Sequence, residues 1–125
     1  MSQTVQTIII VDDDDSVRRA LRRLLRSAGL NVVAFATAEE FLQSAPQPAP
    51  GCLVLDVHLP GLSGLGLQER LRAEGRRIPV IFITAYGDQT MQERALQAGA
   101  IAFLAKPFEE RALLDAVTRA VGGSS

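Results

Sequence analysis

The sequence predicts an α/β fold in which five strand–helix units feed one parallel sheet. Three observations carry this. Short apolar runs alternate with stretches of helical periodicity roughly a dozen residues long, the rhythm of repeated βα units. The length, 125 residues, suits a single domain, and 47% apolar and 22% charged residues are ordinary for a globular chain. Four of the apolar runs stop on a reactive polar residue: 8–11 on Asp12 and Asp13, 52–55 on Asp56, 80–83 on Thr84, and 101–105 on Lys106 before Pro107. In a parallel sheet these ends share one edge, where open α/β sheets bind ligands.

The elements follow in order. Strand β1 is expected at 7–12 and helix α1 at 15–28, where Val17, Leu21, Leu24, Leu25 and Ala28 recur at helical spacing and Gly29 supplies a C-cap. Strand β2 covers 31–35. Thr37, Ala38, Glu39 and Glu40 read as a capping box opening α2, which extends to 44, and Pro46, Pro48 and Pro50 then exclude regular structure. Strand β3 spans 52–56, the turn-rich loop 59–64 follows, and α3 runs over 65–74. Strand β4 at 79–84 precedes α4 at 88–98, with Asp88 as N-cap and Gly99 as terminator. Strand β5 at 101–105 leads into α5 at 109–121. The expected organisation is one domain, 1–121, with a flexible tail or linker stump at 122–125.

Composition excludes several classes. The net charge is −1, so no basic field draws in nucleic acid or an acidic membrane. No apolar stretch is long enough to span a bilayer, and residues 1–4 lack the pattern of a signal peptide, so a cytoplasmic location is expected. Cys52 is the single cysteine and cannot close an internal disulfide, which fits a reducing compartment. Of 13 basic residues all but Lys106 are Arg. A compact ammonium on a flexible stem is a point-charge partner for phosphate. The plainer reading, one stray Lys in an Arg-rich chain, is weakened by its place at a strand end.

Asp12, Asp13, Asp14 and Asp15 set carboxylates in a row. Asp14 or Asp15 can cap α1, where negative charge meets the helix dipole favourably. That role leaves Asp12 and Asp13 unexplained. Neighbouring carboxylates repel, a divalent cation relieves the repulsion, and oxygen ligation with retained water is what Mg2+ prefers. Asp56 reads either as a turn residue or, beside such a cation, as a nucleophile toward phosphorus that forms an aspartyl phosphate. Lys106 would pair with a phosphoryl oxygen and Thr84 would donate to one. Taken singly, Thr84 is an ordinary strand-end threonine and Phe103 ordinary core.

Together, Val11-Asp12-Asp13-Asp14, Leu55-Asp56, Leu59-Pro60-Gly61-Leu62-Ser63-Gly64, Thr84-Ala85 and Lys106-Pro107-Phe108 resemble the receiver domains of bacterial two-component response regulators, over essentially the whole chain. The stretches 83–88 and 98–108 look most like the FixJ-type transcriptional subfamily. The resemblance implies a CheY-like, flavodoxin-like fold: five parallel strands in the order 2-1-3-4-5 with five helices on both faces. It implies Asp56 as phosphoacceptor, Asp13 as direct Mg2+ ligand, Asp12 as its acidic neighbour acting through water, and His58 as donor of a backbone carbonyl to the metal. Thr84 and Phe103 match the switch pair and Lys106 the phosphate-pairing lysine. His58 and Tyr86 fall where varying side chains tune dephosphorylation. A cis Lys106–Pro107 bond is also implied, and X-Pro bonds tolerate cis far better than others.

The implied function is a phosphorylation-activated switch that catalyses only its own Asp phosphorylation and dephosphorylation. A sensor histidine kinase, or a small acyl phosphate, donates a phosphoryl group to Asp56 with Mg2+. Thr84 moves toward it, Phe103 turns inward, and the α4–β5–α5 surface repacks to control homodimerisation and an output domain, DNA-binding in this subfamily and absent from this chain. Met91, Ala95, Ile101 and Ala102 are candidates for that surface, though helical core also explains them. The alternative is a stand-alone receiver acting as adaptor or phosphate sink. Arg18, Arg22 and Arg26, with Arg19 and Arg23 beside them, form either a solvated face of α1 or the kinase's docking surface. A flavodoxin-like electron carrier would need a neutral loop after β1, where four Asp stand, and flanking aromatic rings, with no Trp in the chain. An aspartyl-nucleophile phosphatase would need a second Asp where His58 stands. The intact residue set argues against a receiver with a dead site.

Overall fold

Successive side chains of a strand point to opposite faces, so strands apolar at every position need cover on both sides. The computed structural model, which describes residues 6–44, 50–85 and 89–122, provides that cover. Its elements are β1 Thr7–Val11, α1 Asp15–Ser27, β2 Asn31–Phe35, α2 Ala38–Gln43, β3 Cys52–Asp56, α3 Gly64–Ala73, β4 Val80–Thr84, α4 Gln89–Gln97, β5 Ala102–Ala105 and α5 Glu110–Gly122. The strands are parallel in the order β2-β1-β3-β4-β5. This is the flavodoxin-like strand order expected from the sequence.

The core divides by strand parity. Ile9, Val11, Leu53, Leu55 and Phe82 pack against Ala38 and Phe41 of α2, Leu67 and Leu71 of α3, and Ala95 of α4. Ile8, Ile10, Cys52, Val54, Ile81 and Ile83 pack against Leu21 and Leu25 of α1 and Leu113, Ala116 and Val117 of α5. Cys52 is fully buried, and desolvation pushes its thiol up to about 12. Among the described residues no helix is long and apolar enough to cross a membrane.

Local chemistry sets the helix starts. Asp14 caps α1 by accepting from the amides of Ser16 at 2.9 Å and Val17 at 3.3 Å. Thr37 Oγ1 accepts from the Glu40 amide at 3.0 Å, and Glu40 Oε1 accepts from the Ala36 amide at 2.9 Å, one residue before the cap. Ser63 caps α3 through the Gly66 amide at 3.0 Å. Gly29, with φ +85°, lets the chain turn back at the end of α1, and the Leu30 amide closes onto the Leu25 carbonyl at 3.1 Å.

Most boundaries shift by a residue from those expected, and two of the shifts have a clear physical cause. β1 ends at Val11 rather than Asp12, because Asp12 turns its carboxylate into the crevice, although its amide still donates to the Phe35 carbonyl at 3.1 Å. Gly122, expected to open the tail, belongs to α5. A glycine costs a helix about 1 kcal/mol relative to Ala, and the packing of the preceding turn, with Val121 against the core, outweighs it. Pro46, Pro48, Asp88 and the expected tail at 123–125 lie outside the described residues.

Candidate functional site

Strand register assembles the site. β1 and β3 pair Val11 with Leu55, so the next step along each strand brings Asp12 beside Asp56. β4 and β5 pair Thr84 with Ala105, so Lys106 leaves the sheet immediately beyond. Its amide donates to the Thr84 carbonyl at 2.7 Å, and its peptide bond to Pro107 is cis, as expected. Lys106 Nζ then spans the crevice, 2.9 Å from Asp12 Oδ2 and 3.2 Å from Asp56 Oδ2.

Each of these two carboxylates is held at both oxygens. Asp12 Oδ1 accepts from the Asp14 amide at 2.9 Å, and Asp56 Oδ1 accepts from the His58 amide at 2.8 Å. Asp12 is fully buried, Asp56 is 7% exposed, and Asp13 is exposed. One oxygen from each of Asp12, Asp13 and Asp56 lies within 4.8 Å of the other two. Burial raises the Asp12 carboxyl above the usual range, and the hydrogen bond and charge of Lys106 only partly offset it. Burial also works against the Lys106 ammonium, but the hydrogen bonds and charges of Asp12 and Asp56 prevail and hold its pKa above the usual lysine value. Three carboxylates facing one ammonium leave an all-oxygen, net negative donor set, which fits a hard divalent cation such as Mg2+.

The remaining expected residues surround this centre. Thr84 is fully buried at the end of β4. Phe103 is half-buried on β5, opposite Phe82 in register, with ring centroids 6.2 Å apart. His58 is exposed directly after β3, and Tyr86 lies outside the described residues. Gly64 lets α3 start against β3, since a Cβ there would run into the Asp56 carbonyl oxygen.

Several roles differ from the sequence reading. Arg18 does not join a free stripe on α1: its guanidinium donates to the Asp12 carbonyl at 2.7 Å and to Asp15 Oδ1 at 3.1 Å. Arg19 also pairs with Asp15, at 3.2 Å. For Ala95 the core reading holds: it is fully buried and forms no part of a docking surface, whereas Leu96 beside it is 42% exposed. Gln68, unremarked in the sequence, is buried and donates to the Ala95 carbonyl at 3.2 Å, fastening α3 to α4. Glu39 likewise reaches beyond its own helix, to the Leu62 amide at 2.8 Å. Bonds from side chains to distant backbone leave no local pattern in a sequence.

A parallel sheet in the order 2-1-3-4-5, with acidic side chains and a lysine gathered over its carboxyl edge, defines the receiver class of signalling domain. The family model of the response regulator receiver domain matches residues 8–118, and the chain belongs to that family. It is similar to nodulation protein W of Bradyrhizobium diazoefficiens, 51% identical over 119 residues covering 95% of this chain and 52% of that protein. It is similar also to the transcriptional regulatory protein FixJ of Azorhizobium caulinodans, 41% identical over 116 residues covering 93% of this chain and 55% of that one. The chain thus spans about half the length of the curated relatives it matches. The crystal structure of FixJ-N superposes with a TM-score of 0.86 at 38% identity, covering 96% of both chains. Receiver domains act as phosphorylation switches, partner histidine kinases and bind Mg2+ at their acidic pocket.

Proposed function

We propose that Asp56 is the phosphoacceptor of a two-component phosphorelay. A carboxylate oxygen of Asp56 bonds to the phosphorus of a kinase phosphohistidine, the P–N bond breaks, and the imidazole leaves with its electron pair. The observation that carries this is the convergence of Asp12, Asp13 and Asp56 with Lys106 Nζ bridging two of them. Asp12, Asp13, Asp56 and the His58 backbone carbonyl would hold Mg2+, which when bound neutralises charge on the transferring group. Lys106 exchanges its Asp56 contact for a phosphoryl oxygen. Thr84 donates its hydroxyl to another, and Phe103 turns into the space that Thr84 leaves.

Moving a population from 1:99 to 99:1 needs about 5.5 kcal/mol of differential stabilisation. Charge-assisted hydrogen bonds supply about 1.5–3 kcal/mol each. The two from Lys106 and Thr84 give about 3–6 kcal/mol, but the Lys106 bond replaces its contact with Asp56, so the net gain leaves the switch incomplete, and a second copy bound through the α4–β5–α5 face completes it. Leu96, the exposed large apolar side chain on α4, suits that face. Arg22, Arg23 and Arg26 form either a solvated face of α1 or the kinase-docking surface, and charge reversal of Arg22 and Arg26 that left phosphotransfer unslowed would exclude docking there. His58 and Tyr86 tune phosphate lifetime. The output is a DNA-binding domain of a cytoplasmic transcriptional regulator, supported by relatives about twice this length, one of them a transcriptional regulatory protein.

Intact mass after incubation with acetyl phosphate tests the assignment. The native chain gains one phosphoryl group with Mg2+ and none without, and Asp56→Asn gains none. A gain retained in Asp56→Asn would move the acceptor elsewhere.

A further inference from the structure

We propose that Glu39, on α2, is a positioning residue for the metal site, holding the β3–α3 loop so that the His58 backbone stays registered on Asp56. The inference rests on the reading of the site given above. Glu39 Oε2 accepts from the Leu62 amide at 2.8 Å, across 23 residues of sequence. The turn beneath leaves room for this carboxylate. Gly61 has φ +71°, and a Cβ there would meet Glu39 Oε2 at 2.5 Å. The turn thus offers Glu39 both an amide and a place without a side chain.

The loop is fixed at its base as well. The Gly64 amide donates to the Val57 carbonyl at 3.1 Å, and Leu59 is buried in the core. Glu39 takes hold at the Leu62 amide, just past the exposed crown at Pro60 and Gly61. Between base and crown lies His58, whose amide already binds Asp56 Oδ1. A solvent-exposed carboxylate contributes little to global stability, because water competes for it. It can still select one loop geometry, and metal and phosphoryl sites are sensitive to shifts of about 0.5 Å in their ligands. Glu39 is therefore expected to act on affinity rather than on folding.

Mg2+ titration of the unphosphorylated protein, followed by the amide NMR shifts of Asp13, Val57 and His58, tests this directly. Glu39→Ala is expected to weaken Mg2+ binding about three- to tenfold, the worth of one hydrogen bond, with little change in thermal midpoint. Glu39→Gln keeps an acceptor oxygen and restores most of the affinity. Glu40→Ala removes the neighbouring carboxylate, which bonds to Ala36 and not to the loop, and leaves affinity unchanged. Unchanged binding in Glu39→Ala overturns the proposal. Equal weakening in Glu40→Ala also overturns it, by assigning the effect to bulk charge. Absence of any Mg2+-dependent shift in the native chain refutes the reading of the metal site itself, and the role of Glu39 falls with it.

Discussion

Lys106 and Glu39 show how single side chains here serve the backbone and the site together. Lys106 is the ammonium between Asp12 and Asp56, so it occupies the charge that a divalent cation would otherwise neutralise. Lys106→Ala leaves the fully buried Asp12 carboxylate without its cation. Breaking a wholly buried pair costs about 3–5 kcal/mol, and the partial exposure of Lys106 brings the expected loss to about 1–3 kcal/mol in metal-free buffer. Mg2+ should then raise the thermal midpoint more in the variant than in the native chain. Equal Mg2+-induced shifts would show that the ammonium and the cation do not compete. The Glu39 carboxyl is held below the usual glutamate range by the Leu62 amide. A depressed folded-state pKa means that this hydrogen bond is fully present above the unfolded value, about 4.3, and is lost as pH falls through the folded one. The Leu62 amide resonance should therefore titrate with a midpoint below the usual glutamate value, and a midpoint at or above it would contradict the bond.

Elements were legible where their signals were local. Thr37, Ser63 and Gly29 mark helix ends through contacts a few residues apart, and each marks a boundary close to where the sequence put it. The misplacements have tertiary causes: Asp12 leaves its strand to serve the crevice it shares with Lys106, and Gly122 is carried into α5 by the core packing of the turn before it. Ser63→Ala removes the acceptor for the Gly66 amide and should cost about 1 kcal/mol in urea unfolding, the usual worth of an N-cap. Gly64→Ala belongs to the junction rather than to the helix. Its Cβ would press on the Asp56 carbonyl, so the β3–α3 corner must shift. Ser63→Ala should spare phosphoryl uptake and Gly64→Ala should abolish most of it, as intact mass would record. Full uptake in Gly64→Ala would mean that the corner tolerates displacement.

At the scale of the whole molecule, the site was legible because a parallel sheet turns sequence into position: apolar runs of similar length deliver their final residues to one edge. Asp12, Asp56, Thr84 and Lys106 were found in this way. Arg18 on the Asp12 carbonyl and Gln68 on the Ala95 carbonyl were not. Each depends on which helix lies across which strand, and periodicity along one helix does not carry that information. Phe82 is fully buried on the face covered by α2, α3 and α4, against the ring of Phe103. Phe82→Ala should cost about 3–5 kcal/mol, a large part of the about 5–15 kcal/mol typical of a domain, and urea melts would measure it. The same sheet encloses Cys52, the chain's one thiol, with no exposed surface. An alkylating reagent must wait for the sheet to open before it reaches that sulfur. The rate at which native protein takes up such a label is thus a clock for rare unfolding, and running it on phosphorylated and unphosphorylated protein would weigh the two switch states without introducing a single foreign residue.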